Sequence, residues 1–148
     1  MGYQSPMQDK AAIPYQHWSL KVGRMDASTK EIAPHFGEIV WGVDDLHQSI
    51  SSLILTPLGA VPTEPEKGCD LLPYIDRSLD IAVPNVTRVI WDALTIWEPR
   101  IVLQDIKVFE VAFGHLIAEV YWRPVESVLD DLRVTEVSLT GQTDRRVA

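Results

Sequence analysis

The sequence predicts an α+β fold, with helices first and then a small antiparallel sheet that ends in a C-terminal β-hairpin with an open edge. Three observations carry the prediction. Apolar residues recur at helical spacing in two stretches between Asp44 and Glu98, a proline closes each stretch (Pro57 and Pro99), and after Pro99 the spacing drops to two residues.

Taken in order, residues 1–14 are polar and proline-bearing and read as a loose arm. His17 to Val22 alternates, with Trp18, Leu20 and Val22 opposed to Ser19 and Lys21, which predicts a short strand. Gly23–Lys30 reads as a turn, and Ile32–Val43 is too broken by Pro34, Gly37 and Gly42 to assign. Asp44 is a plausible N-cap for the first helix, and Asp45 suits its positive end. Leu46, Ile50, Leu53 and Ile54 form the apolar stripe of that helix. Residues 57–68 carry three prolines and two glycines and form an ordered loop. Asp70–Leu79 is a short helix candidate. The second strong helix is placed over Pro84–Glu98, with Pro84 in its first turn and Val86, Val89, Ile90, Ala93, Leu94 and Trp97 on its inner face. Pro99 disfavours helical geometry at Glu98 and ends it. Ile106 and Val108 then oppose Lys107 and Phe109. Phe113-Gly114-His115 makes a turn, and Leu116, Ala118, Val120 and Trp122 oppose Ile117, Glu119, Tyr121 and Arg123, which completes a hairpin. One or two helical turns are expected over Pro124–Leu132, a third strand over Val134–Leu139, and a frayed tail. The organisation expected is an arm with a short strand over 1–40, a core domain over 41–123 and an extension over 124–148.

A chain of 148 residues with 46% hydrophobic and 23% charged residues builds its own core without disulfide staples. Its 21 acidic against 13 basic residues give a net charge of −8, the wrong sign for a nucleic-acid binder. No apolar run approaches the roughly 20 residues of a membrane span, and the N-terminus has no signal-peptide core. One cysteine, Cys69, excludes an internal disulfide and a cysteine-based zinc site, and fits a reducing compartment. The five tryptophans exceed what a small core hides, so some are expected to face partner chains.

Candidate chemistry is sparse. His17, His35, His47 and His115 have no metal-ligand spacing, Ser49, Ser51 and Ser52 lack a nucleophile elbow, and there is no phosphate-binding glycine loop. No carboxylate pair is singled out. The expectation is a non-enzyme with no cofactor and no metal. The motif that does stand out is Trp97-Glu98-Pro99-Arg100-Ile101 at the helix-to-strand corner. Proline forces the turn, and Glu98 and Arg100 are expected to emerge on either side of it. They either pair to brace the corner or present a planar donor fork to a partner.

That corner, preceded by the helix exit Ile54-Leu55-Thr56-Pro57-Leu58-Gly59 and a proline-rich loop reaching Gly68, and followed by a hairpin, resembles the baseplate protein W family of contractile-tail phages. The resemblance covers about Trp41 to Arg123. It extends to the T-even wedge protein called lysozyme-like and to a baseplate component of the type VI secretion system. The family usually carries a basic residue shortly after the Gly59 position, where this chain has Ala60 and Val61.

The resemblance implies a structural component of a virion tail baseplate, assembled in the host cytoplasm within a six-fold hetero-oligomer that binds neither nucleic acid nor membrane. It implies that Trp97, Glu98, Pro99 and Arg100 dock on a helical core bundle of wedge proteins. It further implies that the hairpin, through Ile106, Val108, Ile117, Glu119 and Tyr121, meets the tail sheath subunit by strand augmentation and starts sheath assembly. Membership in the secretion system is the alternative. A peptidoglycan-cleaving role through Glu98 is disfavoured, because a neighbouring cation favours the ionised carboxylate over the acid. Before assembly the chain is expected to be a soluble monomer with an adhesive surface.

Overall fold

A computed structural model describes residues 18–22, 37–125 and 132–139. The arm over 1–14, the turn over Gly23–Lys30, most of the Pro124–Leu132 segment and the tail beyond Leu139 lie outside the described residues. The chain divides into two compact units after Gln48, a position within the first helix.

In the first unit, β1 (Trp18–Leu20) pairs antiparallel with β2 (Ile39–Trp41), in the register Trp18 to Trp41 and Leu20 to Ile39. The ladder continues through the Lys21 amide, which donates to the Glu38 carbonyl at 2.9 Å. Helix α1 spans Val43–Leu55. Gly42, with φ of +62°, takes the position ahead of the first turn, and its carbonyl accepts the Leu46 amide at 3.3 Å. Asp44 therefore sits inside the first turn and is not the N-cap: the chain needs a left-handed residue to swing from β2 into the helix, and glycine supplies it. Both aspartates still lie at the positive end of the helix.

The second unit begins at Ser49. The α1 stripe is buried as its spacing requires, with Ile50 and Ile54 essentially inaccessible and Leu53 nearly so. Helix α2 is one turn, Leu72–Ile75, shorter than the Asp70–Leu79 expected. Helix α3 runs Leu79–Trp97 and places Pro84 in its interior, not in its first turn. Proline has no N–H for the Asp80 carbonyl, a defect that normally argues against an interior position. The Asn85 side chain donates to the Ile81 carbonyl at 2.7 Å one residue on, so a polar group lies alongside the weakened turn. Burial of Ala82, ahead of the proline, and of Val86, Ile90, Ala93 and Leu94, behind it, holds the helix continuous. Val89 and Trp97 are half-buried.

Strand β3 (Ile101–Ala112) starts directly after the corner, β4 (His115–Pro124) returns, and β5 (Arg133–Ser138) adds a third strand. All pairing is antiparallel in the order β3-β4-β5, so the fold is α+β with a C-terminal three-stranded sheet. Helix α3 packs on β3. The inward row Leu116, Ala118, Val120 and Trp122 is buried, as the period of two demands. Trp122 is wholly enclosed, and its indole N–H donates to the Thr135 hydroxyl at 2.8 Å, which satisfies the polar handle of a large core aromatic. Irregularities at Leu103/Asp105 and Glu110/Ala112 bracket the regular part of β3.

Candidate functional site

The corner is a β-turn. Glu98 closes α3, its amide donating to the Leu94 carbonyl at 2.9 Å, and its own carbonyl accepts the Ile101 amide at 3.4 Å. Pro99 thus occupies the second turn position, where its fixed φ is favoured, and Arg100 the third. This geometry brings the two charged side chains together and not to either side of the joint. The Arg100 Nε donates to Glu98 Oε1 at 2.5 Å and its terminal nitrogen to Oε2 at 2.7 Å, a bidentate fork. Ser49, from α1, donates a further hydrogen bond to Oε2. The Glu98 side chain is only 4% exposed, while that of Arg100 keeps 29% of its surface open.

Burial alone would push the Glu98 carboxyl up. The Arg100 fork and the Ser49 hydroxyl outweigh it and hold the group below its ordinary value. A carboxyl kept ionised in this way is an anchor for a cation and a poor general acid.

A groove of about 400 Å³ opens beside the pair. Leu53, Val61, Trp97 and Pro99 give it apolar walls, and Ser52, Lys67 and Arg100 give it polar ones. The loop over 57–68 shapes the groove and is locked at two places. The Gly59 amide donates to the Pro65 carbonyl at 2.8 Å, and the Cys69 amide to the Thr56 carbonyl at 2.9 Å. Gly68 lies so close to the α1 exit that a Cβ would stand 2.3 Å from the Thr56 carbonyl oxygen. The loop thereby delivers Lys67, whose ammonium is 3.3 Å from Glu64 and 5.5 Å from the centre of the Trp97 ring. Neither Ser49 nor Lys67 was singled out from sequence. Ser49 flanks the apolar stripe of α1, which is the one signal that it faces partly inward.

The hairpin residues separate by face. Ile106 and Val108 point inward and are buried. Ile117, Glu119 and Tyr121 lie on the outer face of β4, where the Tyr121 hydroxyl donates to Glu119 at 2.8 Å and Lys107 stands 4.8 Å above the tyrosine ring. Strand β4 is the central strand: Glu119 sits between Lys107 and Glu136, and Tyr121 between Asp105 and Val134. Among the described residues the free edge of the hairpin is therefore that of β3. Among the described residues no group of His, Cys, Asp and Glu is arranged to hold a metal ion, and no helix is long and apolar enough to cross a membrane.

A match to the baseplate wedge protein gp25 family spans residues 42–117, just over half of the chain, and takes in the corner, the groove and most of the hairpin. The chain belongs to that family. Comparison with curated proteins gives no match. Two solved structures share the fold of this gp25-family chain. One is a protein of Geobacter sulfurreducens described as a candidate tail lysozyme, with 24% identity, a TM-score of 0.53, and coverage of 66% of this chain and 90% of that one. The other is a chain of the baseplate complex from the type VI secretion system, with 20% identity, a TM-score of 0.51, and coverage of 65% and 88%. The family is one of baseplate wedge proteins, which gives this chain a structural role in a baseplate.

Proposed function

We propose that this chain is the wedge component of a contractile phage tail that docks on the helical core bundle of the main wedge proteins through its Glu-Pro-Arg corner and starts sheath assembly from its hairpin. The observation that carries the reading is the buried, doubly anchored Glu98. It fixes the half-exposed Arg100 at the mouth of a groove whose Trp97 and Pro99 walls suit an apolar side chain of a partner helix. Preorganised donors beside an apolar pocket are what an interface hot spot needs. The β3 edge supports the second contact, since a strand of 12 residues with no neighbour on one side among the described residues offers a row of backbone donors and acceptors to a sheath strand. Asp105, Lys107 and Phe109 on its outer face would set the register, with Ile117, Glu119 and Tyr121 beside them. Ile106 and Val108 contribute by backbone alone, because their side chains are in the core. The partners on this reading are wedge proteins and the sheath subunit within a six-fold assembly in the virion tail, built in the host cytoplasm.

The same joint would serve a type VI secretion baseplate, as the second solved structure suggests by its context. Cell-wall cleavage by Glu98 has less support, because the carboxyl is held down where a general acid must be held up. The test is assembly. Particles carrying Arg100→Ala are expected to lack complete baseplates, whereas a core variant of matched stability, Val120→Ala, still assembles. Normal baseplates and sheaths with Arg100→Ala would overturn the docking assignment, and clearing of purified peptidoglycan that vanishes in Glu98→Gln would restore the enzymatic one.

A further inference from the structure

The β1–β2 ribbon is amphipathic in the unusual sense: its polar side is turned to its own helix and its apolar side to water. Gln48 of α1 secures the ribbon with three hydrogen bonds. Its Nε2 donates to the Ser19 hydroxyl at 3.0 Å and to the Leu20 carbonyl at 2.7 Å, and its Oε1 accepts the Val22 amide at 3.0 Å. Lys21 and Glu38, of the same parity as Ser19 and Val40, pair at 3.0 Å. By alternation Trp18, Leu20, Ile39 and Trp41 all project from the opposite face. Their exposures are 65%, 63%, 55% and 39%, and Val22, next in parity, is 60% exposed.

From this face we infer that the ribbon is a self-association surface, and that its occupant is the same ribbon of a second copy of this chain. Two features point to a second copy. The register sets both tryptophans in one row and Leu20 with Ile39 in the next. A two-fold axis between the rows lays each copy's tryptophan row over the other's aliphatic row, large against small, which is how facing sheets interdigitate in an isologous contact. The area agrees. The five side chains leave about 500 Å² of apolar surface open per copy, judged from the roughly 150–250 Å² an aromatic side chain offers. Two copies together then remove about 1,000 Å² from water, at the lower limit for a specific interface. With charges of −8 on each copy, association is weak, with a Kd of about 10–100 μM. The surface involves neither the corner nor the β3 edge, so it is independent of the docking reading.

Sedimentation equilibrium of the full chain from about 5 to 300 μM tests it. The expected result is monomer at the dilute end and dimer at the concentrated end. Trp18→Ser combined with Leu20→Ser should raise Kd at least tenfold, as should Ile39→Asp on the other strand, which keeps the test valid if the first variant loses the ribbon. Phe113→Ser, at the exposed hairpin tip, should leave Kd unchanged. Monomer at every concentration, or association that survives both ribbon variants, would overturn the inference.

Discussion

Removal of Arg100 turns Glu98 from an anchor into a liability, and the size of the effect follows from the geometry. Truncating one partner of a fully buried ion pair costs about 3–5 kcal/mol, because the other charge is left desolvated. Here Arg100 keeps 29% of its side chain open to solvent and Ser49 retains its bond to Glu98, so the expected cost of Arg100→Ala at pH 7 is about 2–3 kcal/mol. For a unit of this size that lowers Tm by about 10–20 °C. The pH dependence separates this cause from lost packing. In the parent chain the carboxyl of Glu98 is held below its ordinary value, so its contribution is present above the ordinary carboxylate range and is lost as pH falls through the folded-state value. In the variant only Ser49 opposes the burial effect. The carboxyl rises, and protonation on acidification relieves the penalty. The stability gap between parent and variant should therefore be widest near pH 7 and narrow steadily toward pH 4. Adding Glu98→Gln to Arg100→Ala should recover part of the loss at pH 7. Urea unfolding at a series of pH values measures all of this. A cost below about 0.5 kcal/mol, or a gap that does not change with pH, would refute the reasoning.

Gly68→Ala should cost about 2–4 kcal/mol in denaturant unfolding, since φ is +125° and the new methyl meets the Thr56 carbonyl. Gly114→Ala, with open space around it and φ of +74°, should cost about 1 kcal/mol by the same assay. Gln48→Ala removes all three ties of the ribbon and should speed amide exchange of β1 and β2 while leaving β3 to β5 protected. Cys69 is buried, which pushes its thiol up to about 12, so iodoacetamide should modify it in the native chain only as fast as the second unit opens.

What the sequence made legible was the part that local pattern dictates. The α1 stripe, the inward row of β4, the third strand and the proline-directed corner follow from periodicity and from proline's fixed φ. The start of α3 was not legible. Pro84 reads locally as a beginning, but burial of Ala82 on its N-terminal side outweighs the lost hydrogen bond. Strand β2 is three residues among glycines and exists because β1 pairs with it. The position of β4 at the centre of the sheet depends on β5, a partner beyond a connecting segment. At the site, the Glu98–Arg100 pair lies within two residues and was foreseeable. The Ser49 bond spans 49 residues, and Lys67 reaches Trp97 only through the folded loop, so tertiary structure alone brings them together.

The most direct measurement is a reconstruction of the native baseplate at side-chain resolution. The account predicts density from a partner helix packed into the groove beside Arg100 and Trp97, and a foreign strand hydrogen-bonded along β3. A solvated groove and an unextended β3 in the mature particle would contradict it.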